Sequence, residues 1–264
     1  MAETIEILRK RWREVAVIII LWLFLSMAVG PKLGRNASGI LSALVFLLGI
    51  IGLVVGCILQ FGFLRTAYLS HSKRQKLWNL LKEGKRFFWR MFHFYAAFGL
   101  ALFLYVFVIF KITDLIAGGK LSFWALPLWI RNLYFLSGLV ILIKIALLTP
   151  AIIIVHDCKL RKAVGVLSKY KLLKAKETLF IFVISSICNF ASAVLWPYIA
   201  GKVQYEWLAG TAHGILSWFL QTAMYLSAVL FVASANTVHV MLDDLKEADG
   251  KAQESNSNGT LERN

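Results

Sequence analysis

The sequence predicts an all-α protein: a polytopic membrane bundle of about six transmembrane helices with two basic amphipathic helices at the membrane interface. Of its 264 residues, 59% are hydrophobic and only 16% are charged, and the mean hydropathy is +0.71. Soluble domains are about half apolar and about a quarter charged. The basic residues are concentrated in short segments beside long apolar runs, so the composition and its pattern both indicate an integral membrane protein.

Six apolar runs are long enough to cross a bilayer, which needs about 20 residues per helix. The first run is short and follows Arg9, Lys10, Arg11 and Arg13, as in a signal peptide, but the residues after it offer no clear small-x-small cleavage site. We therefore expect a retained membrane anchor. The predicted spans, which make up an integral membrane domain over residues 1–242, are 12–30, 40–64, 91–112, 133–156, 178–200 and 214–242.

The distribution of Lys and Arg predicts the orientation of these spans. The N-terminus, the second-to-third connection, the fourth-to-fifth connection and the C-terminal tail hold 22 of the 29 basic residues. The alternate connections hold six, and Lys144 lies within a span. Under the positive-inside rule this alternation places both termini in the cytoplasm of a multi-pass protein of the cytoplasmic (cell) membrane. Residues 243–264 are polar without apolar periodicity, which predicts a disordered cytoplasmic tail.

Two basic stretches, "KRQKLWNLLKEGKRFFWR" from Lys73 and "KLRKAVGVLSKYKLLKAK" from Lys159, follow long apolar spans. At helical spacing each places apolar residues on one face and basic residues on the other, which is typical of a helix lying in the membrane interface. An alternative for the first stretch is a cytoplasmic extension of the third span. Laying Lys76 on Lys162 also aligns Leu80 with Val166, so an internal repeat is a further hypothesis.

A net charge of +15 in a soluble chain would suggest nucleic acid, but here the basic residues flank apolar spans, which favours anionic lipid headgroups. We expect no nucleic-acid partner. A membrane-protein partner or a homo-oligomer is left open. The predicted lipid-headgroup contacts are Lys73, Arg74, Lys76, Lys82, Lys85, Arg86, Arg90, Arg161, Lys162, Lys169, Lys171 and Lys174.

The order of spans and basic segments resembles a known membrane module. The stretches "RTAYLSHSKRQKLWNLLKEGKRFFWRMF" and "LLTPAIIIVHDCKLRKAVGVLSKYKLL" are similar in plan to the six-helix membrane domain associated with some glycerophosphodiester phosphodiesterases, and to related prokaryotic membrane protein families of unknown function. The resemblance covers roughly residues 40–242. It implies a membrane module only, since the phosphodiesterase chemistry belongs to a separate soluble domain for which this chain has no room.

No pattern in the sequence indicates catalysis. The three cysteines lack CxxC spacing, the five histidines are scattered, and no phosphate-binding loop or nucleophile elbow occurs. We therefore expect a non-enzymatic protein without a catalytic residue, a metal or another cofactor. The spans also lack the paired acidic or histidine residues that a membrane-embedded enzyme would need.

The alternative function is a transporter or permease for an unknown solute. Lys144 lies in the fourth span, and an ionisable residue within a membrane is by default a functional hypothesis. The other interpretations are that Lys144 snorkels to an interface, is neutral, or lies nearer the start of its span. Polar residues of the fifth and sixth spans would complete the transport path, although such residues more often join helices by hydrogen bonds. The predicted path comprises Lys144, Asn189, Gln221 and Asn236.

Overall fold

The computed structural model describes residues 2–28, 39–70, 73–119, 122–200 and 213–235. These residues form eight helices and no strand, which confirms the predicted all-α bundle. Short 3₁₀ turns occur at Phe123–Ala125, Leu167–Lys169 and Leu172–Lys174. The helices are α1 (Ala2–Lys10), α2 (Trp12–Ala28), α3 (Gly39–Ser70), α4 (Leu77–Ile116), α5 (Leu128–His156), α6 (Leu160–Val166), α7 (Lys176–Ala200) and α8 (His213–Ala235).

Five helices in the described ranges are long and apolar enough to cross a membrane: Ile50–Ser70, Leu77–Ile116, Leu128–His156, Lys176–Leu195 and His213–Ala235. They confirm a membrane protein with several spans and correspond to the second to sixth predicted runs. The first predicted run, 12–30, contains helix α2, which has 17 residues, and its last two residues lie outside the described ranges. The end of the sixth predicted run and the tail 243–264 also lie outside them.

The first basic stretch and the third predicted span form one helix. Helix α4 has 40 residues, which corresponds to about 60 Å, whereas the hydrocarbon core of a bilayer is about 30 Å thick. The structure therefore matches the alternative in which the basic stretch extends the span. The second basic stretch instead forms the seven-residue helix α6 and two 3₁₀ turns. The two stretches that align in sequence thus differ in local structure.

Local backbone chemistry accounts for where helices α4 and α5 begin and end. Helix α5 begins after Pro127, whose φ is −51°, because the fixed φ of proline and its missing N–H suit the start of a helix. It ends at Asp157 in the left-handed conformation, with φ of 49°, which aspartate adopts more readily than most residues. Helix α4 ends before Gly118 and Gly119, whose φ values of 72° and 73° favour glycine.

Two glycines allow helices α3 and α4 to approach each other closely. A Cβ atom added to Gly62 of α3 would lie 1.9 Å from the carbonyl oxygen of Leu80. One added to Gly84 of α4 would lie 1.7 Å from the carbonyl oxygen of Ile58. These distances leave no room for any side chain, because the opposing atoms are backbone. Small residues are the usual means by which membrane helices pack in direct contact.

The buried core lies in one half of the bundle. Fully buried side chains include Phe63 of α3, Phe87 of α4 and Ile152 of α5. The farther half of α4 exposes Phe103, Leu104 and other apolar side chains, as expected for a surface that faces lipid. Beside the core lie α1, residues 73–90 and the segment 157–175, which together we call the basic end. Helices α4 and α5 extend from the basic end to the opposite end of the bundle.

Replacing Gly84 by alanine is expected to lower the thermal unfolding midpoint of the detergent-solubilised protein. The new methyl group would force α3 and α4 apart, and overpacking of this kind costs about 1–3 kcal/mol. Gly99→Ala is the matched control, because Gly99 lies on the same helix with no atom within 4 Å of its added Cβ. That variant should unfold at the wild-type temperature or slightly higher, since alanine is the better helix former. Equal midpoints for the two variants would contradict the close approach.

Candidate functional site at the basic end

Arg65 joins helix α3 to the end of helix α5. Its Nη1 donates hydrogen bonds to the carbonyl oxygens of Ile154 (2.6 Å) and Val155 (3.2 Å), which belong to the last turn of α5. Carbonyl groups there have no partner within the helix and carry the negative end of its dipole, so a cation is favourable. The guanidinium also lies over the rings of Tyr68 and Phe87, 5.4 and 5.7 Å from their centres. Arg65 therefore satisfies backbone groups of its neighbour while its charge contacts aromatic rings.

Asp157 connects the end of α5 to the basic part of α4. Its carboxylate forms ion pairs with Arg86 and with Arg90, the latter at 2.6 Å. Arg90 is 30% exposed and Arg86 is 56% exposed, so the two pairs range from half-buried to open. Arg90 also lies 5.7 Å from the centre of the Phe87 ring. Because Asp157 follows the last turn of α5, these ion pairs join the end of α5 to the first half of α4.

Arg11 connects the N-terminal helices to α3. Its side chain is 0% exposed, forms an ion pair with Glu14 and donates a hydrogen bond of 2.8 Å to the hydroxyl of Thr66. The guanidinium lies 4.7 Å from the centre of the Phe63 ring. Glu14 in turn accepts a hydrogen bond of 2.9 Å from the backbone N–H of Gln75. A buried charge is costly unless it is paired, and here the pair ties α1 and α2 to the segment that leads into α4.

The segment 157–175 packs its apolar side against the core. Ala163, Leu167 and Tyr170 are buried, and the Tyr170 hydroxyl lies 2.8 Å from Nε2 of His156. Burial raises the pKa of Tyr170 and that of the Cys158 thiol. Cys158 is therefore a protonated thiol at neutral pH and a poor nucleophile. Among the described residues, no three His, Cys, Asp or Glu side chains are grouped as metal ligands.

The outer side of the basic end presents most of the predicted lipid contacts to the surroundings. Eleven of the twelve are exposed, and the exception is the half-buried, paired Arg90. Large apolar side chains are exposed beside them, namely Trp78 (75%), Trp89 (65%) and Leu173 (82%). Exposed aromatic and aliphatic side chains among cations are typical of the membrane interface. The exposed predicted contacts are Lys73, Arg74, Lys76, Lys82, Lys85, Arg86, Arg161, Lys162, Lys169, Lys171 and Lys174.

The described members of the predicted transport path make separate contacts. Asn189 accepts a hydrogen bond of 3.3 Å from Ser217, and the Gln221 side chain hydrogen-bonds with Tyr225. Both contacts are the helix-to-helix or local hydrogen bonds that polar membrane residues commonly make. Lys144 is half-buried on α5 and has no hydrogen bond or ion pair with another described residue. Asn236 lies outside the described residues.

One cavity contains Asn189. It has a volume of about 560 Å³ and lies among α5, α7 and α8. Its polar lining residues are Asn132, Ser186, Asn189, Ser192 and His213, and Ser192 hydrogen-bonds to Nδ1 of His213 at 3.0 Å. Neither Lys144 nor Gln221 lines this cavity. Among the described members of the predicted path, Asn189 alone belongs to its lining.

Three residues that organise the basic end have little signal in the sequence. Arg65 lies just beyond the second predicted span, and its position at a span end was the only indication of an interfacial role. Arg11 was counted only as a topology signal, although it is buried. Asp157 directly follows the fourth predicted span, and its partners on α4 lie 67 and 71 positions away in the sequence.

No family model, curated protein or solved structure matches this chain. The resemblance to the phosphodiesterase-associated membrane domain therefore stays a prediction.

Replacing Asp157 by asparagine is expected to destabilise the protein through the loss of both ion pairs. Asparagine also tolerates the left-handed backbone, so the change isolates the charge. For pairs that are half-buried we expect a cost of about 1–2 kcal/mol, between exposed and buried cases. The cost should appear in thermal or denaturant unfolding of the purified protein.

A double-mutant cycle with Arg90→Gln provides the control for this prediction. If the two side chains interact, the combined variant should be more stable than the sum of the two single losses implies. Strictly additive losses would show that the Asp157–Arg90 pair contributes nothing to stability.

Proposed function

We propose that this protein is a non-enzymatic polytopic membrane protein whose basic end binds anionic lipid headgroups. The observation that carries the proposal is the exposure of eleven predicted contact residues at one end of the bundle, beside exposed Trp78 and Trp89. Cations next to aromatic side chains at a membrane interface can meet headgroups while the rings stay at the boundary.

The distribution of partners supports an outward role for the lysines. The acidic group on the segment 157–175, Asp157, is engaged by two arginines of α4. Glu14 likewise forms an ion pair with Arg11. Lysines such as Lys82, Lys85 and Lys169 are exposed and lie around these pairs. Each basic residue near an anionic surface contributes about 1 kcal/mol of attraction. Several lysines together would therefore make binding to anionic lipids clearly tighter than binding to neutral lipids.

We also propose that the basic end faces the cytoplasm of a cell membrane and that both termini lie on that side. The division of 22 basic residues against six supports this orientation under the positive-inside rule. The contacts of Arg11 with Thr66 and of Arg65 with Ile154 agree with it, because they bring three of the basic segments to one level.

Transport stays the alternative proposal. The cavity of about 560 Å³ with its amide, hydroxyl and imidazole groups gives it some support through Asn189. Lys144 does not line that cavity and so gives transport no further support. Lipid binding therefore has more support than transport.

Neutralising exposed lysines is expected to reduce the retention of anionic lipid. We suggest Lys→Gln at residues 82, 85, 162, 169, 171 and 174, which leaves Arg65, Arg86 and Arg90 to hold the fold. Native mass spectrometry of protein from phosphatidylglycerol–phosphatidylcholine nanodiscs would measure bound phosphatidylglycerol. Salt screens part of the attraction between the lysines and the headgroups. We therefore expect the preference for phosphatidylglycerol over phosphatidylcholine to fall about tenfold or more.

The matched control carries Lys→Arg at the same six positions, which preserves the charge and should preserve the preference. Raising the salt from 0.1 to 1 M should weaken wild-type binding, because the Debye length falls from about 10 Å to about 3 Å. If the glutamine variant retains phosphatidylglycerol as well as the wild type does, the proposed function is wrong.

Reporter fusions test the orientation. A fluorescent protein that matures only in the cytoplasm should be fluorescent at either terminus, because both termini lie on the side that is rich in Lys and Arg. A periplasmically active phosphatase at the same positions should be inactive. The opposite control is a phosphatase fused after residue 119, in the connection that holds few basic residues, where it should be active. An active phosphatase at either terminus would contradict the orientation.

A further inference from the structure

A second cavity lies at the end of the bundle opposite the basic end. It has a volume of about 510 Å³ and is bounded by the last part of α4, the 3₁₀ turn Phe123–Ala125 and the start of α5. Helix α5 begins here and ends at Asp157, 29 residues later along the chain, so the two sites are about 40 Å apart along that helix. The cavity is therefore separate from the proposed headgroup contacts.

The cavity has an aromatic wall. Phe103, Phe107 and Phe110 follow one another on α4 at spacings of four and three residues, which places them on one face. The rings of Phe103 and Phe107 are 6.3 Å apart, and Phe110 meets Phe123 edge to face at 5.3 Å. Trp124 extends the wall, with its ring 5.4 Å from that of Phe123. A row of rings along a helix offers a slot that fits an apolar chain.

The charged residues of the lining lie at one end of this slot. Lys111, Asp114 and Arg131 line the cavity, and their formal charges sum to +1. Asp114 takes part in an interaction of its own within the protein. The Arg131 side chain is half-buried and lines the cavity. A guanidinium forms its strongest hydrogen bonds with an anionic oxygen, such as that of a carboxylate or a phosphate.

We propose that this cavity binds an amphiphile that has an anionic headgroup and an apolar chain. The headgroup, a carboxylate or a phosphate, contacts Arg131 and Lys111. The chain lies along Phe103 and Phe107, and the distance along α4 from Phe103 to Lys111 is about 12 Å. The aromatic side chains beside the cations suit the headgroup level of a bilayer. A free fatty acid and an anionic phospholipid share this chemistry, and the experiment distinguishes them.

A cationic ligand fits this cavity less well, although aromatic rings often surround quaternary ammonium groups. Lys111 and Arg131 would repel a cation, and the one carboxylate of the lining already has an interaction. A neutral amphiphile would fill the aromatic slot but give Lys111 and Arg131 a weaker partner than an anionic headgroup does. The charges therefore select the anion.

Photoaffinity labelling of the full-length protein in phosphatidylcholine nanodiscs tests the proposal. Three probes with a diazirine in the chain would be compared, namely a fatty acid, a phosphatidylglycerol and a fatty alcohol as the neutral analogue. Mass spectrometry of the digested protein would locate the label. We expect at least one anionic probe to label residues 103–135 at up to one equivalent per chain, well above the fatty alcohol. The probe that labels identifies the source of the anion.

Variants assign the label to the cavity. Arg131→Gln should lower labelling by the anionic probe about tenfold, as expected for the loss of a charged hydrogen-bond partner. Arg131→Lys should restore part of it, which separates loss of charge from loss of fold. Arg9→Gln removes one exposed arginine far from the cavity and should leave the label unchanged. Phe107→Ala should lower labelling by charged and neutral probes alike.

Three results would overturn the proposal, and the third leaves the headgroup function untouched. One is equal labelling of residues 103–135 by the fatty alcohol and the anionic probes. Another is labelling by the anionic probes that Arg131→Gln does not change. If those probes label residues 73–90 and 157–175 alone, this proposal fails while the headgroup function of the basic end stands.

Discussion

The close approach of α3 and α4 at Gly62 and Gly84 sets the position of the charged groups at the basic end. With backbone against backbone at these two points, Phe87 comes to lie beneath Arg65, and the next turn of α4 carries Arg90 to Asp157. A side chain at either glycine would move α4 outward and lengthen each of these contacts. The ion pairs depend on this packing, since half-buried charges interact strongly only when their geometry is good.

Arginine and lysine have different roles at the basic end. Arg11, Arg65 and Arg90 are directed inward and contact a carboxylate, backbone carbonyls or aromatic rings. The guanidinium suits such sites because it is planar, has five donors and is weakly hydrated. The exposed positions are mostly lysines, whose compact and strongly hydrated charge sits more easily in water or among headgroups. Lysine at the inward positions would lose the internal contacts that arginine makes. Arginine at the exposed positions would replace the strongly hydrated charge of lysine with a weakly hydrated one.

Much of the fold could be predicted from the sequence because hydropathy and helical period are local properties. The runs that become α3, α4, α5, α7 and α8 were found in this way, and so was the exposure of most basic residues. The continuity of α4 was left open, since an amphipathic stretch and an apolar stretch join there without a proline. The pairing of Asp157 with Arg86 and Arg90 could not be predicted, because it joins residues 71 and 67 positions apart and depends on the glycine contact. The meeting of Lys111, Arg131 and Phe107 at one cavity is likewise visible only in three dimensions.

The two ends of the bundle differ in how their charged residues are arranged, and this difference links the two proposals. At the basic end the inward-facing cations have partners within the protein, among them Asp157 and the carbonyl oxygens of Ile154 and Val155. The surplus lysines are left at the surface, where a diffuse layer of headgroups can meet them and salt can screen them. At the other end Lys111 and Arg131 lie beside an aromatic slot. Such a site favours one ligand in one orientation, because the chain and the charge must both fit. Under the two proposals, the basic end binds anionic lipids over a broad surface and the opposite cavity binds one amphiphile.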